Sequence, residues 1–283
     1  MKFTTRTRNE TMNNTIPLPV FVKRSGALNK ISAKKLRMLS FPVAAFALAS
    51  IVASPTASAA SSSAFGVRAQ FTAGDLSMRL GPLDSVRRSA PPGSNLAYNQ
   101  TVPMADVNRV VVLPAGPATL SVGAAELQTN VKGDGSSSDG DAALQTVNLT
   151  LTLPDDSAPL LAVSATGVLS HAHYNDQVRL PDFTGNASFD NLTVSGSLIE
   201  NQFFAFSGPA PRNQILYQSP TVVITLNKET EPELISCQTG TPGCSVTPTS
   251  IMTEALDISL HNVSLNGQVV SGEIVVGYSS AQQ

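Results

Sequence analysis

The chain has no tryptophan, only four tyrosines and 5% aromatic residues in all, and among its 283 residues just two are cysteine and three histidine. It therefore lacks the aromatic girdles that hold a transmembrane β-barrel at the two membrane surfaces. Cys237 and Cys244 have neither Cys-x-x-Cys spacing nor a histidine beside them, which excludes the usual structural zinc frameworks. Charged residues are scarce, at 13%. The Gly-x-Ser-x-Gly nucleophile elbow, the His-Glu-x-x-His zinc motif and the Walker phosphate loop are all missing. No carboxylate pair stands out as acid and base, and Asp155-Asp156 beside Pro154 reads as a turn. These absences leave no residue to name as catalytic and no cofactor to expect.

What is present begins with a leader. Lys23, Arg24, Lys30, Lys34, Lys35 and Arg37 precede an apolar run from Met38 to Ala53, and Ala57-Ser58-Ala59 follows. Basic, then apolar, then small-x-small is the order of a bacterial-type secretory signal. The run is interrupted by Pro42 and falls short of the roughly 20 residues that cross a bilayer as a helix. Residues 1–59 are thus expected to be a removable signal with a long basic region, cut between Ala59 and Ala60. Residues 60–283 remain as one extracytoplasmic domain, secreted, periplasmic or at the cell surface. Of the basic residues, 9 of 18 lie before Ala60, against Glu10 alone of 20 acidic ones, so the remainder carries a formal charge of −10. That balance excludes nucleic acid, whose phosphates require clustered Lys and Arg.

Within 60–283 the apolar residues recur every second position. Phe65, Val67, Ala69 and Phe71 oppose Gly66, Arg68 and Gln70, and Val147, Leu149, Leu151 and Leu153 oppose Asn148, Thr150 and Thr152. Such alternation predicts half-buried strands. Further strands are expected at 110–113, 119–126, 160–170, 187–199, 221–226, 256–265 and 269–276. In the second-last of these the apolar phase slips at His261-Asn262, which predicts a β-bulge. Asn266-Gly267 follows, a pair that tolerates positive φ at both positions and predicts a tight hairpin. No window sustains helical periodicity, so the class is all-β, an antiparallel β-sandwich-like domain.

Turn formers separate Cys237 from Cys244, and in an oxidising compartment the two are expected to form a disulfide that pins a hairpin tip within the insertion 229–249. Gly133 to Asp141 reads as an exposed polar loop in which Asp134, Asp139 and Asp141 are candidates for calcium. If the strand expected at 160–170 runs on, His171-Ala172-His173 places two imidazoles on one face with Asp176 nearby, the donor set of an open metal site. The bland reading of each is a solvated polar surface.

Several segments in order resemble the choice-of-anchor P family of bacterial exported proteins. They are Ser63-Ala64-Phe65-Gly66-Val67, Leu80-Gly81-Pro82, the Ser/Ala-rich stretch 160–170, Asn191-Leu192-Thr193-Val194-Ser195-Gly196, Val222 to Asn227, and the closing pair Ala255 to Leu260 and Gly272 to Gly277. The resemblance implies export and a β-rich domain without an assigned activity. Members often carry a C-terminal sorting signal; here the chain stops soon after Gly277, so a form with no stable membrane anchor after cleavage is expected. The reading is a non-enzymatic exported protein meeting an envelope polysaccharide or a surface protein. Its alternative is a secreted hydrolase or metal-dependent enzyme using His171, His173 and Asp176.

Overall fold

The computed structural model describes residues 60–283 except 92–93, 95, 115, 117, 155, 157, 177–181 and 238–243, and except the side chains of 234, 236, 237 and 244–246. The expected leader, including Ala59, lies outside the described residues. Period-two patterning builds fifteen strands: β1 (Ser61–Ala73), β2 (Leu76–Leu83), β3 (Val86–Ser89), β4 (Tyr98–Val112), β5 (Thr119–Gly133), β6 (Ser137–Thr152), β7 (Leu161–Asn175), β8 (Asp182–Ser195), β9 (Phe203–Ala210), β10 (Gln214–Gln218), β11 (Val222–Thr230), β12 (Glu233–Cys237), β13 (Cys244–Pro248), β14 (Ser250–Leu265) and β15 (Gln268–Gln282). The only helical turn among the described residues is a 3₁₀ turn at Ser197–Ile199, which ends the strand expected to run on to residue 199. No helix of the described residues is long and apolar enough to cross a membrane.

Two antiparallel sheets pack face to face. One has the order β10-β11-β14-β15-β1-β2, with β3 also pairing β1; the other is the meander β4-β5-β6-β7-β8-β9. The meander follows from short connections, since neighbouring strands in sequence pair most readily. In the first sheet β1 lies against β15, joining residues more than 200 apart, such as Ser61 with Gln282. The expected hairpin closes at Asn266 and Gly267, both at positive φ, with Leu265 opposite Gln268. The expected bulge lies between Leu260 and Val263.

The strands run further than their apolar patterns indicate, because the inward phase slips midway along each. In β5 the buried set is Leu120, Val122 and Ala124, then Leu127, Thr129 and Val131; in β6 it is Ser138, Gly140, Ala142 and Leu144, then Val147, Leu149 and Leu151. The slips align across the meander at Glu126, Gln145, Gly167 and Asp190, as the pairings on either side show. Glu126 (φ 50°) and Gly167 (φ 58°) take the left-handed conformation of such irregularities, and the Asp190 carboxylate occupies the space a Cβ on Gly167 would need. Register is the same on both sides of the slip, with Ala125 opposite Thr146 and Leu127 opposite Leu144, so neighbouring strands change their inward phase together and no residue is inserted in one strand against its partner.

The slip divides the interior. On one side lies most of the main core, with Phe71, Leu120, Leu149, Leu151, Leu192, Ile224 and Ile258, and Leu127, Leu144, Val168 and Phe189 carry it a short way past the slip. Burying each such side chain contributes about 1.5–3 kcal/mol. On the other side small residues bring the sheets close: a Cβ on Gly140 would meet the carbonyl oxygens of Ser63 and Ser280 at 2.7 and 2.8 Å. There Ser170 Oγ sits 2.8 Å from Ser279 Oγ and donates to the Thr253 carbonyl, so Ser170 is paired across the sheets.

Candidate functional site

In β7 the inward residue is Ala172, fully buried, so His171 and His173 point together from the outer face of the meander. The antiparallel register sets Asp141 opposite His171 and Asp139 opposite His173. His171 Nδ1 lies 2.6 Å from Asp141 Oδ1, and His173 Nδ1 lies 2.6 Å from Asp139 Oδ1. His171 Nε2 faces the same Asp139 oxygen at 4.0 Å. The imidazoles are nearly parallel, with centroids 6.2 Å apart. Asn130 and Lys132 of β5 continue the two rows, and Asn130 donates to Asp141. One donor atom each from Asp139, His171 and His173 lies within 4.8 Å of the other two.

The electrostatics follow from this pairing. The hydrogen bond to Asp141 raises the His171 pKa above its ordinary value, against partial burial and with help from the charges of Asp141 and Asp139. Burial alone would raise Asp141, but the bond and charge of His171, with Lys132, outweigh it and hold that carboxyl below its usual range.

Two expectations are corrected here. Asp176 does not join the histidines: it sits beside the inward, fully buried Tyr174, whose hydroxyl is pushed up to about 12 by burial and by that carboxylate. Nor is Gly133 to Asp141 a loop gathering three aspartates, since β5 reaches Gly133 and β6 starts at Ser137. Asp134 Oδ1 caps its own turn, accepting from the backbone N–H groups of Ser136 and Ser137 at 2.8 and 2.9 Å, while Asp139 and Asp141 turn to the histidines. The signal that could have found them is the alternation Asp139-Gly140-Asp141-Ala142, polar outward and small inward, continuous with Val147 to Leu153. Its small inward residues do not look like a strand's apolar face.

A second cluster went unread in the sequence. On the outer face of the other sheet, Lys228 Nζ lies 3.1 Å from Glu254, 3.0 Å from Asp257 and 3.4 Å from Glu273. Arg68 meets Glu273 at 3.0 Å and stands over the Phe65 ring, which stacks on Tyr278. The Asp257 side chain is only 3% exposed. Burial raises Asp257 and Glu254 above ordinary carboxylate values despite Lys228. Burial alone would lower Lys228, but the charges of Asp257 and Glu254 raise it. The Lys228 ammonium thus fills the place among these carboxylates that a cation would take, and the cluster reads as a structural ion network.

Cys237 and Cys244 are direct partners at the end of the β12-β13 hairpin. Their sulfur atoms lie outside the described atoms. The cleft of ≈ 160 Å³ bordered by Ser61, Ser63, Arg87, Met252, Tyr278 and Ser280 contains no histidine. Away from the histidines, the outer face of the meander carries cross-strand rows in which short polar side chains stand among small or apolar ones. One is Val110-Ser121-Thr150-Ala162-Ser195-Phe203 and the next Asn108-Gly123-Asn148-Ser164-Thr193-Ala205. Neither row contains a charge.

No family model, no curated protein and no solved structure matches this chain.

Proposed function

We propose that the protein is an exported, non-enzymatic β-sandwich that binds an uncharged envelope polysaccharide across the outer face of its six-stranded meander. The observation that carries this is the pair of uncharged rows through Ser121, Thr150 and Ser195 and through Asn148, Ser164 and Thr193, each crossing six strands. Strands lie about 4.8 Å apart, so Ser121 and Thr150 in one row and Asn148, Ser164 and Thr193 in the other present hydroxyl and amide groups on adjacent strands at that spacing, suited to a chain of repeating hydroxyls. Phe203, largely exposed at the β9 edge, adds an apolar end to one row. Loop-borne catalysis by His171, His173 and Asp176 has less support, because Asp176 lies by Tyr174. Export is supported by the leader pattern and by β1 starting at Ser61, just past the expected cut. The choice-of-anchor P relationship remains part of this proposal, resting on the segments quoted above.

The test is cosedimentation of the exported protein, its N-terminus checked to be Ala60, with insoluble peptidoglycan, cellulose and chitin at low and high salt. Binding to at least one polymer that resists salt and is lost in an Asn148→Lys, Ser164→Lys double variant is expected. Absence of binding to all three, or binding unchanged in that variant, overturns the reading.

A further inference from the structure

The geometry points to a metal site: we propose that His171, His173 and Asp139 bind one Zn²⁺ on the outer face of the meander, with Asp141 as the residue that positions His171. This is independent of the polysaccharide reading and uses none of the side chains in its two uncharged rows.

Donor chemistry selects the ion. Two imidazoles and one carboxylate suit zinc and its neighbours in the first transition row, whereas calcium and magnesium take oxygen donors. A tetrahedral ion with bonds of about 2.0–2.2 Å holds its donors roughly 3.3 Å apart. Here the three donor atoms already lie within 4.8 Å of one another, and the Asp139 oxygen stands between the two rings at 2.6 and 4.0 Å. Side-chain rotation of about an ångström closes the set, with no movement of the strands.

The supporting residues fit as well. Ligating histidines usually engage a carboxylate through the second ring nitrogen, which fixes the ring and its tautomer. Asp141 does this at His171 Nδ1, leaving Nε2 turned toward Asp139, and Asn130 in turn donates to Asp141. The ligands sit on β6 and β7, central strands held on both sides by β5 and β8, which makes a rigid platform. All three side chains remain partly exposed, so coordination positions are left for water or an incoming ligand atom. The Asp257 cluster lacks these properties, because a lysine ammonium lies at its centre.

The experiment is calorimetric titration of the EDTA-treated, exhaustively dialysed protein with ZnCl₂. In parallel, CoCl₂ is titrated by visible absorption, which reports coordination number and geometry. One equivalent of Zn²⁺ per chain, and Co²⁺ bands of a four- or five-coordinate site, are expected. His171→Ala and Asp139→Asn are expected to abolish saturable binding. Asp141→Asn should weaken it by about 10- to 100-fold, as loss of such a support does, and His261→Ala should leave it unchanged. Should a variant fail to fold by circular dichroism, diethylpyrocarbonate labelling of the wild-type protein decides the matter. Zinc is expected to protect His171 and His173 but not His261. Lack of one-equivalent binding by the wild type, unchanged binding in folded His171→Ala, or equal labelling with and without zinc overturns the proposal.

Discussion

Lys228 shows how one side chain can decide whether a group of buried charges is tolerable. Asp257 and Glu254 are largely withdrawn from water, and each is raised in pKa by that burial even with the ammonium about 3 Å away. Removing one partner of a buried pair costs about 3–5 kcal/mol, because the other charge is left uncompensated. Lys228 keeps 33% of its side chain exposed, so Lys228→Met is expected to cost about 3 kcal/mol in urea unfolding at pH 7, the low end of that range. The pH dependence has a definite sign. A carboxyl whose pKa is raised on folding binds its proton more tightly in the folded state, so stability increases as pH falls from neutral through the raised values and levels off below the ordinary values of 3.8 for Asp and 4.5 for Glu. Asp257→Asn should flatten this rise; an unchanged slope in the variant would show that the charges of the cluster are not coupled to folding. None of this was legible in the sequence, where Lys228, Glu254, Asp257 and Glu273 belong to three strands with ordinary polar positions.

Among elements, the turn and bulge of the β14-β15 hairpin were legible, since Asn266-Gly267 and the phase slip at His261-Asn262 are local devices whose φ requirements show in residue type, while its strands extend past the expected 256–265 and 269–276 to Ser250 and Gln282. The long meander strands were legible only in part. Their aligned slips at Glu126, Gln145, Gly167 and Asp190 break the alternation in the middle, so the pattern halts where the strand continues. Of these four only Gly167 has the residue type that advertises positive φ. The β12-β13 hairpin makes its own prediction, because Cys237 and Cys244 are direct cross-strand partners. In an oxidised preparation alkylation without reduction should give no mass shift. The Cys237→Ser, Cys244→Ser pair is expected to lose about 2 kcal/mol, the loop-entropy value for so short a closure. Alkylation of both thiols before reduction would show the disulfide is not formed.

At the scale of the molecule the sandwich has two tiers, a wide one filled by Leu, Ile and Phe and a second in which Ala, Ser and Gly bring the sheets close between two small clusters, one around Val86 and Val131 and one around Tyr174 and Ile251. The narrow tier depends on close approach of the two sheets, and at Gly140 an added Cβ would meet backbone atoms of two strands, which cannot swing aside as a side chain can. Gly140→Ala is expected to destabilise by about 2 kcal/mol, within the range for overpacking a filled interior, measured as a lower urea midpoint at unchanged slope. A neutral result would mean that the sheets separate easily at this end. The same tier holds β6 and β7 inward through Ser138, Ser170 and Ala172, and so positions the outward Asp139, His171 and His173.

Class, hairpin and bulge were settled by the chain itself, because period-two burial and turn chemistry act between residues a few positions apart. The histidine pair shares a face because β7 runs on to Asn175, past the end expected at residue 170. Only the tertiary structure decided which carboxylates meet those histidines. Asp139 and Asp141 reach them through the β6-β7 register, thirty or more residues away, while Asp176, three residues from His173, lies by the buried Tyr174. Tertiary structure likewise placed β1 between β15 and β2 and gathered Lys228 among its acids. Pairing across a sheet depends on register and long-range burial, which a local pattern does not encode.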